Sequence, residues 1–248
     1  MGILVIGSNF LKSRGSQKPW LLAILVFGIF HTILIGQTEN PDKWDNQLFL
    51  GNKVATAAGN WKFSGELQVR LKDDFQALDR WFLEGVATYF LSEHWEIVPD
   101  YRFSIKPDEV EHRPGFGILR KDLLGKEDNR RHQLVHQVKW QADIDPNAFD
   151  NGLRYVFFYN YLLNQKLIPN AAAGAFYRWS EDFTGIQFYR VGVGLSYIID
   201  VKHSLNFSYF VGFTDTGAEW TMQGIPFIQL IINLDTKYRY LPAKFINF

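Results

Sequence analysis

The chain has 248 residues, a formal net charge of zero, no cysteine and 17% aromatic residues. A neutral chain has no electrostatic footprint for nucleic acid, so no nucleic-acid partner is expected. The lack of cysteine excludes disulfides, thiolate catalysis and thiolate metal sites.

The N-terminal segment has the organisation of a secretory signal peptide. Three basic residues precede an apolar run at 20–36, and a polar stretch follows it. A basic flank, an apolar centre and a small residue before a polar start are typical of such peptides. We therefore predict a signal peptide over residues 1–36 and an exported domain over residues 37–248. The alternative is an uncleaved N-terminal membrane helix.

Apolar and polar residues alternate along most of the exported domain, which is the period of a β-strand. In residues 95–106, WEIVPDYRFSIK, the apolar residues lie mainly at odd positions and the polar ones at even positions. The short connections between such segments favour an up-and-down antiparallel β-barrel of about ten strands. Its strands are expected near residues 44–54, 61–72, 80–91, 95–106, 131–143, 153–163, 167–179, 186–199, 204–213 and 227–237.

Three local features complicate this pattern. Residues 107–129 are rich in charge, proline and glycine, and we expect them to form a long loop. Pro99 in mid-strand predicts a bulge, because a closed barrel has no free edge for a residue without an N–H. With ten strands, the turns at 92–94 and 164–166 fall at opposite ends of the barrel, so the side of the long loop stays undetermined.

Alternation alone does not decide which face is interior, because a soluble barrel with an apolar core shows it too. The apolar face carries about five or six residues per strand, more than a barrel of this size can pack inside. The polar face mixes both charge signs with Gln, Asn, Ser and Gly, unlike a solvated surface rich in Lys and Glu. Six tryptophans, including Trp140, fall on the apolar face, and most of them are near strand ends, as in the aromatic girdles of membrane barrels. The predicted membrane-interface aromatics are Trp44, Trp61, Trp81, Trp95 and Trp179.

We therefore predict a transmembrane β-barrel in an outer membrane, with the lipid bilayer as its main partner and with either a structural role or a role as a narrow-solute channel. Charges of both signs on the inner face favour ion pairs that fill the lumen of so small a barrel. The functional alternative is a selectivity ring for a small polar solute. The predicted lumen charges are Glu66, Arg70, Arg80, Glu84, Glu96, Asp100, Arg102, Lys139, Arg190 and Asp235.

Signals for catalysis are weak. The best candidate is His112, which stands near Asp108, Glu109 and Glu111 in the predicted loop, but a hydrolase would also need an oriented nucleophile. No G-x-S-x-G, H-E-x-x-H or phosphate-loop motif is present. We expect no enzyme, no cofactor and no metal. An outer-membrane hydrolase with a loop-borne site and a soluble periplasmic barrel that binds an apolar ligand remain as alternatives.

Four short motifs support a resemblance to a known family. They are Asp79-Arg80-Trp81-Phe82, Tyr101-Arg102-Phe103, Arg131-His132, and Arg190 with Gly192, Gly194, Leu195 and Tyr197. Together they resemble a family of bacterial outer-membrane barrels called domain of unknown function 2490. The resemblance implies an outer-membrane barrel of a Gram-negative bacterium, with no assigned reaction and no family catalytic residues. Neither the solute nor the oligomeric state follows from these residues.

Overall fold

The computed structural model describes residues 44–125, 130–146, 148–181, 183–215, 217 and 219–245. The predicted signal peptide, residues 1–36, lies outside them. The described residues form one closed sheet of eleven long strands and two short ones. The strands are β1 (Trp44–Asn46), β2 (Leu48–Gly59), β3 (Trp61–Lys72), β4 (Ala77–Phe90), β5 (Trp95–Ile105), β6 (Val110–Leu124), β7 (His132–Ile144), β8 (Phe149–Tyr161), β9 (Leu167–Trp179), β10 (Thr184–Ile198), β11 (His203–Asp215), β12 (Trp220–Asn233) and β13 (Lys237–Tyr238).

The sheet closes through a parallel pair, which corrects the expectation of a purely antiparallel barrel of about ten strands. Consecutive strands from β2 to β12 are antiparallel neighbours. Phe227 of β12 then pairs with Phe49 of β2, and Asn233 with Ala55, in parallel register. Because eleven is an odd number, the first and last long strands run in the same direction. Short strands β1 and β13 extend this seam at its two ends.

The barrel therefore has two distinct rims. The connections β2–β3, β4–β5, β6–β7, β8–β9 and β10–β11 lie at the rim where β12 also ends. We name this the C-terminal rim. The start of β1 and the connections β3–β4, β5–β6, β7–β8, β9–β10 and β11–β12 form the opposite rim, which we name the N-terminal rim.

Residues 107–129 do not form the predicted long loop, because most of them belong to β6. This strand pairs with β5 from Val110 to Arg120 and with β7 as far as Leu124. Its inward positions carry charged residues and glycines, a face that resembles a loop when it is read in sequence. The closed ring of backbone hydrogen bonds stabilises the strand in spite of this composition.

Pro99 causes no bulge, contrary to the prediction. Val86 pairs with Asp100 and Tyr89 with Ile97, so the register of β4 with β5 is the same on both sides of the proline. The β5–β6 ladder is continuous, with Pro99 opposite Phe116. The proline only interrupts the pairing on its β4 side. Register shifts occur instead at Arg70/Leu71 and at Ile186/Phe188.

Burial along the strands shows which face is interior. On β4, Phe82, Glu84 and Val86 are buried, whereas Leu83 between them is 55% exposed. The same alternation runs round the barrel, and it places polar residues together with several phenylalanines inside. The apolar face is the outer surface of the barrel, as the sequence predicts.

Candidate functional site

Charged side chains dominate the lumen, and positive charge is in excess. Eleven basic side chains point inward from the described strands: Lys53, Lys62, Arg70, Arg80, Arg102, Arg113, Lys121, Lys139, Arg154, Arg178 and Arg190. Seven acidic side chains do so: Glu66, Glu84, Glu96, Asp100, Glu111, Asp143 and Asp150. Asp79, at the register shift of β4, adds a carboxylate whose Oδ2 lies 2.9 Å from Arg80 Nε. Positive charges still outnumber negative ones in the described part of the interior.

Glu84 is the centre of the largest ion-pair network. Its Oε1 lies 3.2 Å from Arg102 Nη2, 3.9 Å from Lys139 Nζ and 4.0 Å from Arg113 Nη2. Lys139 Nζ also lies 2.6 Å from Asp100 Oδ1. These partners come from β5, β6 and β7, so one fully buried carboxylate connects four consecutive strands. A buried charge of this kind is stable only while its partners remain charged and close.

Two further networks occupy the lumen, one on β3 at the level of Glu84 and one nearer the C-terminal rim. Glu66 Oε2 lies 3.0 Å from Lys53 Nζ, and its Oε1 accepts a hydrogen bond of 2.7 Å from Gln229 Nε2 across the parallel seam. Glu96 Oε1 lies 2.6 Å from Lys121 Nζ. Each buried carboxylate thus has a cation on a neighbouring strand, which neutralises that part of the interior.

The turns at the two rims carry ion pairs that solvent reaches. At the N-terminal rim Lys106 pairs with Glu109 and Glu111; burial acts to lower the pKa of Lys106, but these hydrogen bonds outweigh it and raise that pKa. At the C-terminal rim the His203 side chain and two backbone amides hydrogen-bond to Asp200, which lowers the pKa of Asp200 to about 2. Lys106 and Asp200 are therefore both charged at neutral pH.

The chain after β13 crosses the mouth of the barrel at the C-terminal rim. We name residues 239–245 the C-terminal strap. It begins beside β2 and β3, where Arg239 N–H donates to Gly59 O and Arg239 Nη1 donates to Asn60 Oδ1. Its far end reaches β8, where Phe245 packs on Phe158 with the ring centroids 6.4 Å apart. The strap thus extends from one wall of the barrel to another.

Inward polar side chains hold the strap in the mouth. Ala243 N–H donates to Glu96 Oε1 at 2.8 Å, and Lys121 Nζ donates to Leu241 O. Lys244 N–H donates to Gln133 Oε1 at 3.1 Å, and Lys244 O accepts from Asn160 Nδ2 at 2.9 Å. Side chains from the four strands β5 to β8 thus form hydrogen bonds with backbone groups of the strap. Ala243 is buried by this docking and packs as part of the apolar core.

Nine of the ten predicted lumen charges lie on the inner face, and Asp235 does not. Strand β12 ends at Asn233, so Asp235 lies beyond it. Asp235 Oδ1 accepts from the Lys237 backbone N–H, and Oδ2 lies 3.8 Å from Lys237 Nζ, a largely exposed group. The alternation of β12 does not continue, because the chain here changes partner and follows the end of β2.

The predicted interface tryptophans lie on the outer surface near the rims. Trp61 and Trp95 begin their strands at the C-terminal rim, while Trp44, Trp81 and Trp179 lie near the N-terminal rim. Trp61, Trp95 and Trp179 are 41%, 42% and 38% exposed. Trp61 stacks on Phe63, whereas Arg120 lies over the Trp95 ring. Trp44 Nε1 donates to Asn46 Oδ1. The tryptophans form two bands near the opposite rims.

His112 is on β6 and on the outer surface, so the predicted loop-borne site is wrong in its placement. Its Nδ1 lies 2.5 Å from Tyr101 Oη on the neighbouring strand. His132 and His136 make the same kind of contact, with Tyr159 Oη at 2.7 Å and Tyr155 at 2.8 Å. Within the described ranges, no three His, Asp or Glu side chains are grouped closely enough to hold a metal ion. In those same ranges no helix is long and apolar enough to cross a membrane.

Sequence reasoning missed several interior residues. Glu111, Arg113 and Lys121 were assigned to the loop that proved to be β6, although they alternate with His112 and Arg120 in the period of two. Lys53 and Asp150, on strands with a weaker pattern, were also overlooked. The strap has no local signal, because its partners are on strands far away in the sequence.

The model of the family "Protein of unknown function (DUF2490)" matches residues 46–223. The chain belongs to this family. No curated protein matches the DUF2490 chain. Among solved structures, the NanC porin in a rhombohedral crystal form is 8% identical, with a TM-score of 0.46 over 68% of this chain and 87% of that one.

The KdgM porin is 13% identical to the DUF2490 chain, with a TM-score of 0.42 over 71% of this chain and 85% of that one. The KdgM porin in complex with disordered oligogalacturonate is also 13% identical, with a TM-score of 0.44 over 72% and 92% of the two chains. At this level of similarity the porins do not indicate what the DUF2490 chain binds.

Proposed function

We propose that this DUF2490 protein is an outer-membrane β-barrel that acts as a narrow channel for a small polar solute and has no enzymatic activity. The observation that carries the proposal is the orientation of the sheet, with Leu83 exposed outside and Glu84 buried inside. A soluble barrel has the reverse arrangement. Only a surrounding apolar solvent makes an outer surface of this kind favourable over the whole circumference.

The dimensions of the barrel support the proposal. The long strands have between 11 residues, as in β5, and 15 residues, as in β6. A tilted strand needs about 9–11 residues to cross the apolar core of a bilayer. The two tryptophan bands would then lie at the two membrane–water interfaces, where the indole ring has both an apolar and a hydrated side.

The interior supports a narrow passage rather than a wide pore. Ion pairs centred on Glu66, Glu84 and Glu96 fill the cross-section, and the strap covers the C-terminal mouth. A polar solute or an ion would move along hydrogen-bonding groups and not through an open bore.

The two alternatives have less support. A periplasmic barrel that binds an apolar ligand needs an apolar interior, but the charged network around Glu84 occupies that place. A hydrolase with a loop-borne site loses its best candidate, because His112 faces outward from a strand and contacts Tyr101. We therefore prefer a channel to either alternative.

Fractionation and gel migration test the proposal. Closed membrane barrels resist SDS until they are heated. We expect the protein in the outer-membrane fraction, with faster migration before boiling than after, and small conductance steps in planar bilayers. Recovery in the soluble periplasm without a mobility shift would contradict the membrane assignment and favour a ligand-binding barrel.

Leu83→Arg tests the lipid-facing surface directly. Leu83 is the seventh of the 14 residues of β4 and is exposed at mid-strand. A cation there would lie near the bilayer midplane, so we expect a loss of about 2–4 kcal/mol in the unfolding free energy measured by urea titration in lipid vesicles. Leu91→Arg makes the same change in an exposed turn and should be nearly neutral. Equal, small effects of the two substitutions would mean that β4 does not face lipid.

A further inference from the structure

Two buried arginines in the lumen lack a carboxylate partner among the residues that the structure describes. In the described part of the chain, no carboxylate oxygen lies within 4.0 Å of Arg70 or Arg190, although both side chains are only 8% exposed. Arg70 Nη2 and Arg190 Nε are buried and have no hydrogen-bond partner there. Burying an unpaired cation is costly, so these two groups differ from the paired cations around Glu84.

The two arginines lie close together around shared aromatic rings. The Arg70 and Arg190 guanidinium carbons lie 4.1 and 5.8 Å from the centroid of the Phe49 ring. Arg70 and Arg102 share the Phe82 ring in the same way, at 5.2 and 3.8 Å. Three guanidinium groups from β3, β5 and β10 are therefore gathered in one part of the interior.

The acidic residues on this side of the lumen are engaged elsewhere. Glu84 Oε1 accepts from Arg102, while Glu111 pairs with Arg80 and Lys106. Cation–π contact with a phenylalanine ring offsets only part of the desolvation of a guanidinium group and provides no acceptor for its N–H groups. Asp79 also lies on this side, but its Oδ2 pairs with Arg80 Nε at 2.9 Å. Arg70 Nε donates only to the neutral Gln68 Oε1, at 2.6 Å. The described residues therefore compensate the charge of Arg70 and Arg190 only in part.

The wall beside Arg190 is closely packed. Gly192 and Gly194 follow Arg190 on the inner face of β10, and a Cβ atom added there would lie 2.3 Å from Phe210 Cδ1 and 2.2 Å from Ser208 Oγ, respectively. The site therefore offers a ligand the guanidinium donors themselves and not an open cavity over β10. A guanidinium group presents a planar set of N–H donors that fits the oxygens of a carboxylate or a phosphate.

We propose that Arg70 and Arg190, assisted by Arg102, form a binding site for a small oxyanion, a carboxylate or a phosphate, inside the barrel. The site indicates that the solute of the channel is an anion. Transport of an anion rests on the proposed channel function. Binding itself does not, because it requires only the folded barrel. The excess of positive charge in the lumen also favours a negatively charged ligand.

Inorganic phosphate is the first probe, titrated into the purified protein in detergent at constant ionic strength set with chloride. We expect phosphate to raise the urea midpoint of the wild-type protein, because a ligand that binds only the folded state stabilises it. Arg190→Gln and Arg70→Gln should each weaken phosphate binding by about tenfold or more, since each removes a charge-assisted hydrogen-bond donor. Without phosphate, both substitutions should leave the barrel at least as stable as the wild type, because an unpaired buried charge is removed.

Arg120→Gln is the matched control, since Arg120 is on the outer face and pairs with Asp122. It should leave phosphate binding unchanged. Acetate in place of phosphate distinguishes a carboxylate site from a phosphate site, and binding of either supports the proposal. No midpoint shift with either anion, or equal shifts in the wild type and in Arg190→Gln, would overturn it.

Reversal potentials in planar bilayers separate this site from the channel function. We expect anion selectivity in the wild type and reduced selectivity in Arg70→Gln and Arg190→Gln. Phosphate binding without any conductance would overturn the channel and keep the oxyanion site. Conductance without phosphate or acetate binding would overturn the site and keep the channel.

Discussion

Replacing Ala243 with proline should raise the single-channel conductance several-fold. The Ala243 N–H donates to the buried Glu96 carboxylate at 2.8 Å, and proline has no N–H to replace it. Glu96 would keep Lys121 but lose its contact with the strap, and the Cδ of proline would push the strap away from this wall. The C-terminal mouth should therefore be open for a larger part of the time.

Ala243→Gly is the matched control, because glycine keeps the N–H group. We expect it to conduct like the wild type, whereas deletion of residues 239–248 should produce the largest increase. Limited trypsin digestion gives a second measure, since release of the strap exposes the Lys244–Phe245 bond to cleavage. If that bond becomes cleavable in Ala243→Pro while the conductance stays at the wild-type value, the strap is not the constriction.

Glu84→Gln should destabilise the barrel by about 3 kcal/mol or more, because removing one member of a buried ion-pair network leaves its partners uncompensated. Glu84 is fully buried, and Arg102, Lys139 and Arg113 all lie within 4.0 Å of its Oε1. Glutamine has nearly the same size, so the effect reports charge and not packing. The measurement is the urea midpoint in lipid vesicles, with the slope of the transition checked for constancy.

Glu93→Gln makes the same chemical change in an exposed turn at the C-terminal rim and should alter the unfolding free energy by less than about 0.5 kcal/mol. Similar effects at positions 84 and 93 would mean that water or ions compensate the interior cations. In that case the lumen would be more hydrated, and the passage wider, than the ion-pair distances indicate.

Alternation was sufficient to predict strands whose two faces differ clearly. On β3 and β5 the inward charges Glu66, Arg70 and Arg102 stand between apolar outward residues, and the structure has them in those places. A period of two is a local property of the chain, so no knowledge of neighbouring strands is needed to detect it.

Strand β6 was missed because its inner face mimics a loop, with Glu111, Arg113, Gly115 and Gly117 in succession. The predicted topology already contained the sign of an error. With ten strands the turns at 92–94 and 164–166 fell at opposite ends, but both join strands at the C-terminal rim. One additional strand between the two turns places both of them at the same end. The conflict would therefore have shown that a strand, β6, was missing between them.

The side-chain contacts in the interior could not be predicted from the sequence, because they join distant parts of the chain. Whether Arg190 meets an acid depends on which residues the curvature of the barrel places opposite β10, and nothing within the strand determines this. The parallel seam between β2 and β12 depends in the same way on the total strand number.

The position of the strap in the chain has a consequence for the order of assembly. Its hydrogen bonds to Asn160, Gln133, Lys121 and Glu96 span 84, 111, 120 and 147 residues. Such contacts form late, because they require the intervening strands to be in place. The strap also follows β12, the strand that completes the cylinder. If the barrel conducts as proposed, a newly made molecule would leak until the strap docks, and closure of this mouth would follow the closure of the barrel wall.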